Sequence, residues 1–194
     1  MIIRSFTPCV WGSRPCTNLK PQFERSLNHI TDTKPLFLED MNIGDRWSSP
    51  WREITGEDVA DFARLTGDHD SLHCSESSAS PFGEPVAHGL LGLSVLAGLG
   101  SDHPNASTLA LVGISDWQFE APIFFGDRVQ VVTEVVQIQQ HGRRAGRVTW
   151  LRQLVNQHGR VVQRGNFVTL VATRSRARHL SNGEHTQRGS LPPR

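Results

Sequence analysis

Long hydrophobic runs are missing from this chain. The longest apolar stretch, around Gly89–Gly100, is broken by glycines and falls short of the roughly 20 residues needed to cross a bilayer. It therefore reads as a buried helix. An excess of charge is missing too. Lys and Arg total 20 against 19 Asp and Glu, a formal net charge of +1. That balance provides no strong field for nucleic acid or an anionic membrane, and neither is expected as a partner. Cysteine is scarce: the three residues Cys9, Cys16 and Cys74 give no even disulfide framework. Cys9 and Cys16 also lack a matching Cys or His pair for a zinc site. No HExxH pattern, internal repeat or apolar secretory core is present.

What remains is the composition of a globular protein, 37% hydrophobic and 20% charged over 194 residues, which is enough for one domain with tails. Few cysteines favour a reducing compartment, so a cytoplasmic location is expected. The alternative is the mitochondrial matrix. Residues 1–34 lack periodicity, and Arg4, Arg14 and Lys20 precede the first acidic residue, Glu24. This suits a transit peptide and suits a disordered leader equally. Residues 175–194, polar and rich in Arg and Ser, read as a disordered tail. The domain is expected over 35–174.

Within it, Trp47 to Ile54 reads as a short strand. Thr55 and Asp58 form a capping box, Val59, Phe62, Ala63 and Leu65 follow at helical spacing, and Gly67 ends that helix. Val86 to Leu99 reads as a second helix, apolar nearly all round and so enclosed by other elements. Four β-rich segments follow: Thr108–Phe119 with a kink at Gly113, Arg128–Gln139, Arg147–Asn156 and Val161–Thr173. Short glycine turns between them predict an antiparallel meander. The fold class is therefore α+β. The sheet must wrap the apolar helix, which is the hot-dog arrangement. An unpaired sheet edge then predicts a homodimer.

Chemistry concentrates in one segment. Asp68 and His73 lie a short loop apart, and Gly89 opens the apolar helix. An acid, a base and a helix N-terminus together suit water chemistry on a polarised carbonyl. Asp68, His69, Asp70 and His73 also have donor types a metal could use, but the segment reads as loop and no metal is expected. Arg143, Arg144 and Arg147 form a basic hairpin, solvated or turned toward carrier phosphates.

The run from Phe62 to His73, containing Gly67-Asp68-His69-Asp70-Ser71-Leu72-His73, with Ala79 six residues on, resembles the signature of the MaoC-like, or (R)-specific enoyl-CoA hydratase, family. Ala87-His88-Gly89, Pro122 with Gly126-Asp127, and Asn156-Gln157-His158-Gly159 resemble its later motifs, in the same order. Asp70 and Ser71 stand where the family has Asn and Pro. Both still suit a turn, and Asp70 brings a second negative charge close to Asp68.

The resemblance implies reversible hydration of trans-2-enoyl thioesters to (R)-3-hydroxyacyl thioesters. Asp68 and His73 would share the water, and the Gly89 N–H would bind the thioester oxygen. His88 would be structural, bonding across the loop that bears His73, or would contact substrate, with Leu90 and Leu91 lining the acyl pocket. No cofactor is implied beyond the coenzyme A or acyl-carrier-protein thioester that carries the acyl group. Two other readings are an acyl-thioesterase and a non-catalytic acyl-thioester binding module. The first expects a carboxylate on the central helix, yet none follows Gly89 until Asp102. The second has no need of the Asp68–His73 pair.

Overall fold

Helix α1, Gly56–Thr66, begins where the capping box places it. In the computed structural model, which describes residues 34–74 and 80–175, the Thr55 hydroxyl accepts the Asp58 N–H and the Asp58 carboxylate accepts the Thr55 N–H. Gly67 closes the helix with a φ of 78°, a conformation in which a side chain would be strained. Val59 is the buried anchor of its inward face. The expected leader up to residue 33, with Cys9 and Cys16, lies outside the described residues. So do Ala79 and the tail beyond Ser175.

The expected strand over Trp47–Ile54 forms as two short pieces, β1 (Arg46–Ser48) and β2 (Arg52–Glu53), both paired to the same later strand. Pro50 lies between them and has no N–H to give to a ladder. Helix α2 spans Gly89–Leu99, three residues shorter at its start than the apolar run suggests. Val86 instead bridges to Phe124, and the Ala87 N–H donates to the Ile123 carbonyl at 2.8 Å. Hydrophobicity does not distinguish these extended residues from the first turn of the helix.

Four long strands follow: β3 (Thr108–Phe119), β4 (Arg128–His141), β5 (Ala145–Asn156) and β6 (Val161–Ala172). β4, β5 and β6 form the expected meander. β3 does not join it in sequence order. It pairs antiparallel with β6, so the sheet runs β1-β4-β5-β6-β3, with β2 also on β4. The link from β3 to β4, residues 120–127, is too long for a tight hairpin and crosses the mouth of the sheet. β3 is irregular, with register shifts on either side of Gly113, where the sequence places a kink.

The concave face of the sheet holds the core. Val131, Val135, Val148, Trp150, Leu154, Phe167 and Val171 pack with Leu91, Val95 and Leu96 of α2. Near the far end of the helix, Arg152 is buried. Its Nη2 donates to the Gly100 carbonyl at 2.8 Å and its guanidinium lies 4.8 Å from the Phe167 ring centroid. A cation at a helix C-terminus is favourable, and burial pushes its pKa down to about 10, still charged at neutral pH. Gly100 leaves the space: a Cβ there would lie 2.6 Å from Arg152 Nη1. This is an antiparallel sheet curled around an apolar helix, the α+β hot-dog arrangement.

The helix is not enclosed on all sides. Leu90 is 58% exposed, and Ser94 and Gly98 continue its exposed stripe at helical spacing. β3 exposes Leu109, Leu111, Ile114 and Phe119 in the same way. One six-stranded sheet covers only part of the helix.

Candidate active site

The loop between α1 and α2 carries the chemistry. After Gly67, the Asp70 carboxylate accepts the Leu72 N–H at 2.8 Å and starts a single 3-10 turn, Ser71–His73. An aspartate caps this turn as well as an asparagine does, so the departure at Asp70 leaves the loop intact. Asp70 also donates its own N–H toward Asp68 Oδ1 at 3.3 Å. The Asp70 carboxylate is thus tied into the turn.

His73 Nδ1 lies 2.7 Å from the Val86 carbonyl. A carbonyl only accepts, so Nδ1 carries the proton and Nε2 presents its lone pair. His88 caps the start of α2 and is only 2% exposed. Its Nε2 donates to the Asp68 main-chain carbonyl at 3.0 Å, its ring stacks on His73 with centroids 3.7 Å apart, and its Nδ1 has no hydrogen-bond partner among the described residues. One contact fixes the backbone of the acid and the other fixes the ring of the base. His88 therefore holds the pair from behind and is too deep to serve as a substrate contact.

Burial holds the His88 pKa below its usual value, and the nearby His73 ring adds to this, against the opposing contacts from Asp68. The unfolded chain binds a proton at His88 below about pH 6.5, while the folded chain resists it. Stability should therefore fall as pH drops through that value. We expect the melting temperature of wild type to fall more than that of His88→Gln between about pH 7.5 and about pH 5.5. Parallel curves for the two proteins would contradict the assignment.

Asp68, His73 and His88 each bring one ligand-capable atom to within 4.8 Å of the others. Two of the four ring nitrogens are committed to carbonyls.

A cavity of about 120 Å³ opens beside Asp68 and His73, bounded by Gly56, Ala60 and Ala63 of α1 and by Phe125. Neither Leu90 nor Leu91 lines it: Leu90 faces outward and Leu91, at 7% exposure, belongs to the core. Gly89 follows His88 directly and opens α2, but like Leu90 and Leu91 it does not line this cavity. A Cβ on Gly89 would come within 2.9 Å of the Phe119 ring, which makes the close fit here between helix and strand. Arg143, Arg144 and Arg147 sit at the β4–β5 turn. The site lies at the opposite end of the sheet, where β4 begins and β5 ends, so this basic hairpin is remote from it.

The later motifs support the site from below. The Asp127 carboxylate accepts the Phe124 N–H at 2.9 Å and the Gln157 side-chain amide at 2.7 Å. Asn156 Oδ1 accepts two N–H groups of the β5–β6 turn. Gln163, Phe119, Phe125 and the Val86 carbonyl are not legible in any local motif. The one available signal was Gln163 itself, a polar residue at an inward position of β6.

Residues 41–155 match the family described as MaoC like domain. The 3-hydroxybutyryl-CoA dehydratase of Methylorubrum extorquens is 33% identical over 119 residues, 60% of this chain and 74% of that protein. The crystal structure of the MaoC-like dehydratase from Rhodospirillum rubrum is 29% identical with a TM-score of 0.66, covering 72% of this chain and 98% of that one. A Mycobacterium tuberculosis protein described as having a double hotdogfold aligns at a TM-score of 0.60 and 17% identity, over 72% of this chain and 44% of its own length. That likeness is one of fold.

Proposed function

Since the chain belongs to the MaoC-like domain family and is a hydro-lyase, we propose that it reversibly adds water to trans-2-enoyl thioesters to give (R)-3-hydroxyacyl thioesters. The observation that carries this reading is the 2.7 Å contact between His73 Nδ1 and the Val86 carbonyl. With Nδ1 tied to the Val86 carbonyl, Nε2 is an acceptor beside a second acceptor, the Asp68 carboxylate. One water can donate a hydrogen bond to each, which leaves an oxygen lone pair for C3 of the enoyl group. As the C3–O bond forms, the water proton passes to the pair and a proton is returned to C2. Charge then gathers on the thioester oxygen, which the N–H of Gly89 and the N-terminal dipole of α2 stabilise. Dehydration is the same path reversed. No metal or redox group is called for by this balance of atoms.

The acyl group arrives on coenzyme A or an acyl carrier protein. Purified protein mixed with crotonyl-CoA should deplete the enoyl absorbance without releasing free thiol. A crotonyl carrier-protein thioester forms the second arm. Thiol release with the enoyl group intact would favour the thioesterase reading instead.

The working protein is proposed to be a homodimer. Leu109, Leu111 and Ile114 on the edge strand β3 and Leu90 on α2 are exposed apolar side chains beside an unpaired backbone edge. A second copy joined along β3 covers both. Light scattering should give twice the chain mass for wild type and a monomer for Leu111→Asp/Ile114→Asp. A monomeric wild type would contradict this.

A further inference from the structure

Gln163 is a polar residue where the alternation of β6 calls for an apolar one. Its side chain points inward and is 1% exposed. Its Nε2 donates to the Gly89 carbonyl at 2.9 Å, across 74 positions of sequence. The amide fills the space that a side chain on Gly92 would take, since a Cβ there would lie 2.3 Å from Nε2. Its Oε1 has no hydrogen-bond partner among the described residues. A buried acceptor left unpaired costs stability, and an apolar residue of the same size would avoid that cost. Stability alone therefore gives no reason for glutamine here.

We propose that Gln163 is a positioning residue for the thioester-oxygen contact, holding the first turn of α2 so that the N–H groups of Gly89 and Leu90 are presented to that oxygen. The inference rests on the enoyl-thioester reading of the site. The Gly89 carbonyl and the Leu90 N–H belong to one peptide group, so a hydrogen bond given to the oxygen polarises that N–H as a donor. The Gly89 N–H belongs to the preceding peptide group, whose His88 carbonyl accepts the Gly92 N–H at 3.2 Å. Gly92 is also the residue whose missing side chain admits the glutamine. The glutamine thus holds one peptide group of the first turn directly and packs against Gly92, which holds the other. It comes from β6, which also pairs with Phe119, the residue lying against Gly89.

The test compares wild type, Gln163→Leu, Gln163→Glu and Asp68→Asn on crotonyl-CoA. It also records the infrared carbonyl stretch of bound butyryl-CoA carrying a ¹³C label at the thioester carbon. Gln163→Leu should lower kcat by about 10- to 100-fold, with KM changed by less than about threefold. The red shift of the bound carbonyl should shrink in Gln163→Leu and persist in Asp68→Asn. A glutamate can donate to the Gly89 carbonyl only when protonated, so the activity of Gln163→Glu relative to wild type should rise as pH is lowered. An unchanged kcat and carbonyl shift in Gln163→Leu would overturn the proposal. Should that variant not fold, a flat pH ratio for Gln163→Glu would overturn it as well. Failure of wild type to hydrate any enoyl thioester would instead strike the functional reading. The carbonyl shift of bound butyryl-CoA needs no turnover and would still decide the role of Gln163.

Discussion

Asp68→Asn should lower kcat for crotonyl-CoA hydration by about 10³-fold, near 4 kcal/mol of transition-state stabilisation. Asn keeps much of what Asp provides here. It has nearly the same shape and can still accept the Asp70 N–H that Asp68 Oδ1 receives at 3.3 Å. It also leaves the main-chain carbonyl held by His88 untouched. What it loses is a negatively charged acceptor for the water. His73→Gln should have a similar effect by the complementary route, because glutamine can still reach toward the Val86 carbonyl but offers no basic nitrogen. The double variant should be little worse than either single one, since the two groups act on one water. The loop is largely exposed at Asp68, so melting temperatures should stay close to wild type. Rates measured by loss of enoyl absorbance, with circular dichroism as the folding control, check all three variants.

Gly89→Ala is the second large effect. The backbone N–H remains, so a loss here reports geometry. A Cβ at this position would lie 2.9 Å and 3.0 Å from two atoms of the Phe119 ring. Phe119 is 55% exposed, so its ring can swing aside and the fold should survive. The helix start or the ring must still shift, which takes the N–H away from the thioester oxygen or narrows the approach to it. A displacement of this kind is worth about 10²-fold. The loss should fall mainly on kcat. Gly89→Ala combined with Phe119→Ala should recover part of the rate, because the second change removes the clash. Recovery in the double variant is the diagnostic result. A double variant no better than Gly89→Ala would mean that glycine is needed at this position for some other reason.

Local patterns were readable wherever the cause was local. The Thr55–Asp58 capping box set the start of α1, and Gly67 set its end. The alternation of Val129, Val131, Thr133 and Val135 marked β4, and the glycine turns marked the β4–β5–β6 meander. The acid, the base and the helix start were legible because each lies within about 20 residues of the others. Features set by distant partners were not. Nothing in the sequence of β3 says that it pairs with β6 rather than β4. Its exposed Leu111 and Ile114 look, in sequence, like core residues. Leu90 reads the same as Leu91, yet one faces outward and the other is buried, because the sheet covers only part of α2. His88 could be read as a structural group or as a substrate contact, and its burial and its stacking on His73 favour the first. Gln163 reaches Gly89 from a strand that closes the domain. No reading of either segment alone connects them.

The departure at Asp70-Ser71 looked in sequence like the point where this chain differs most from its relatives. In the structure Asp70 does a turn-capping job, and the difference is smaller than the residue change suggests. The proposed catalytic pair and His88 are joined by local contacts to the loop and to the residues that precede α2.

The most direct test is the fate of labelled oxygen when wild-type protein turns over crotonyl-CoA in H₂¹⁸O, followed by mass spectrometry. The account predicts an intact thioester that has gained one molecule of labelled water, with the label in the hydroxyl group at C3. Label in a released carboxylate, with free coenzyme A and the double bond retained, would contradict it.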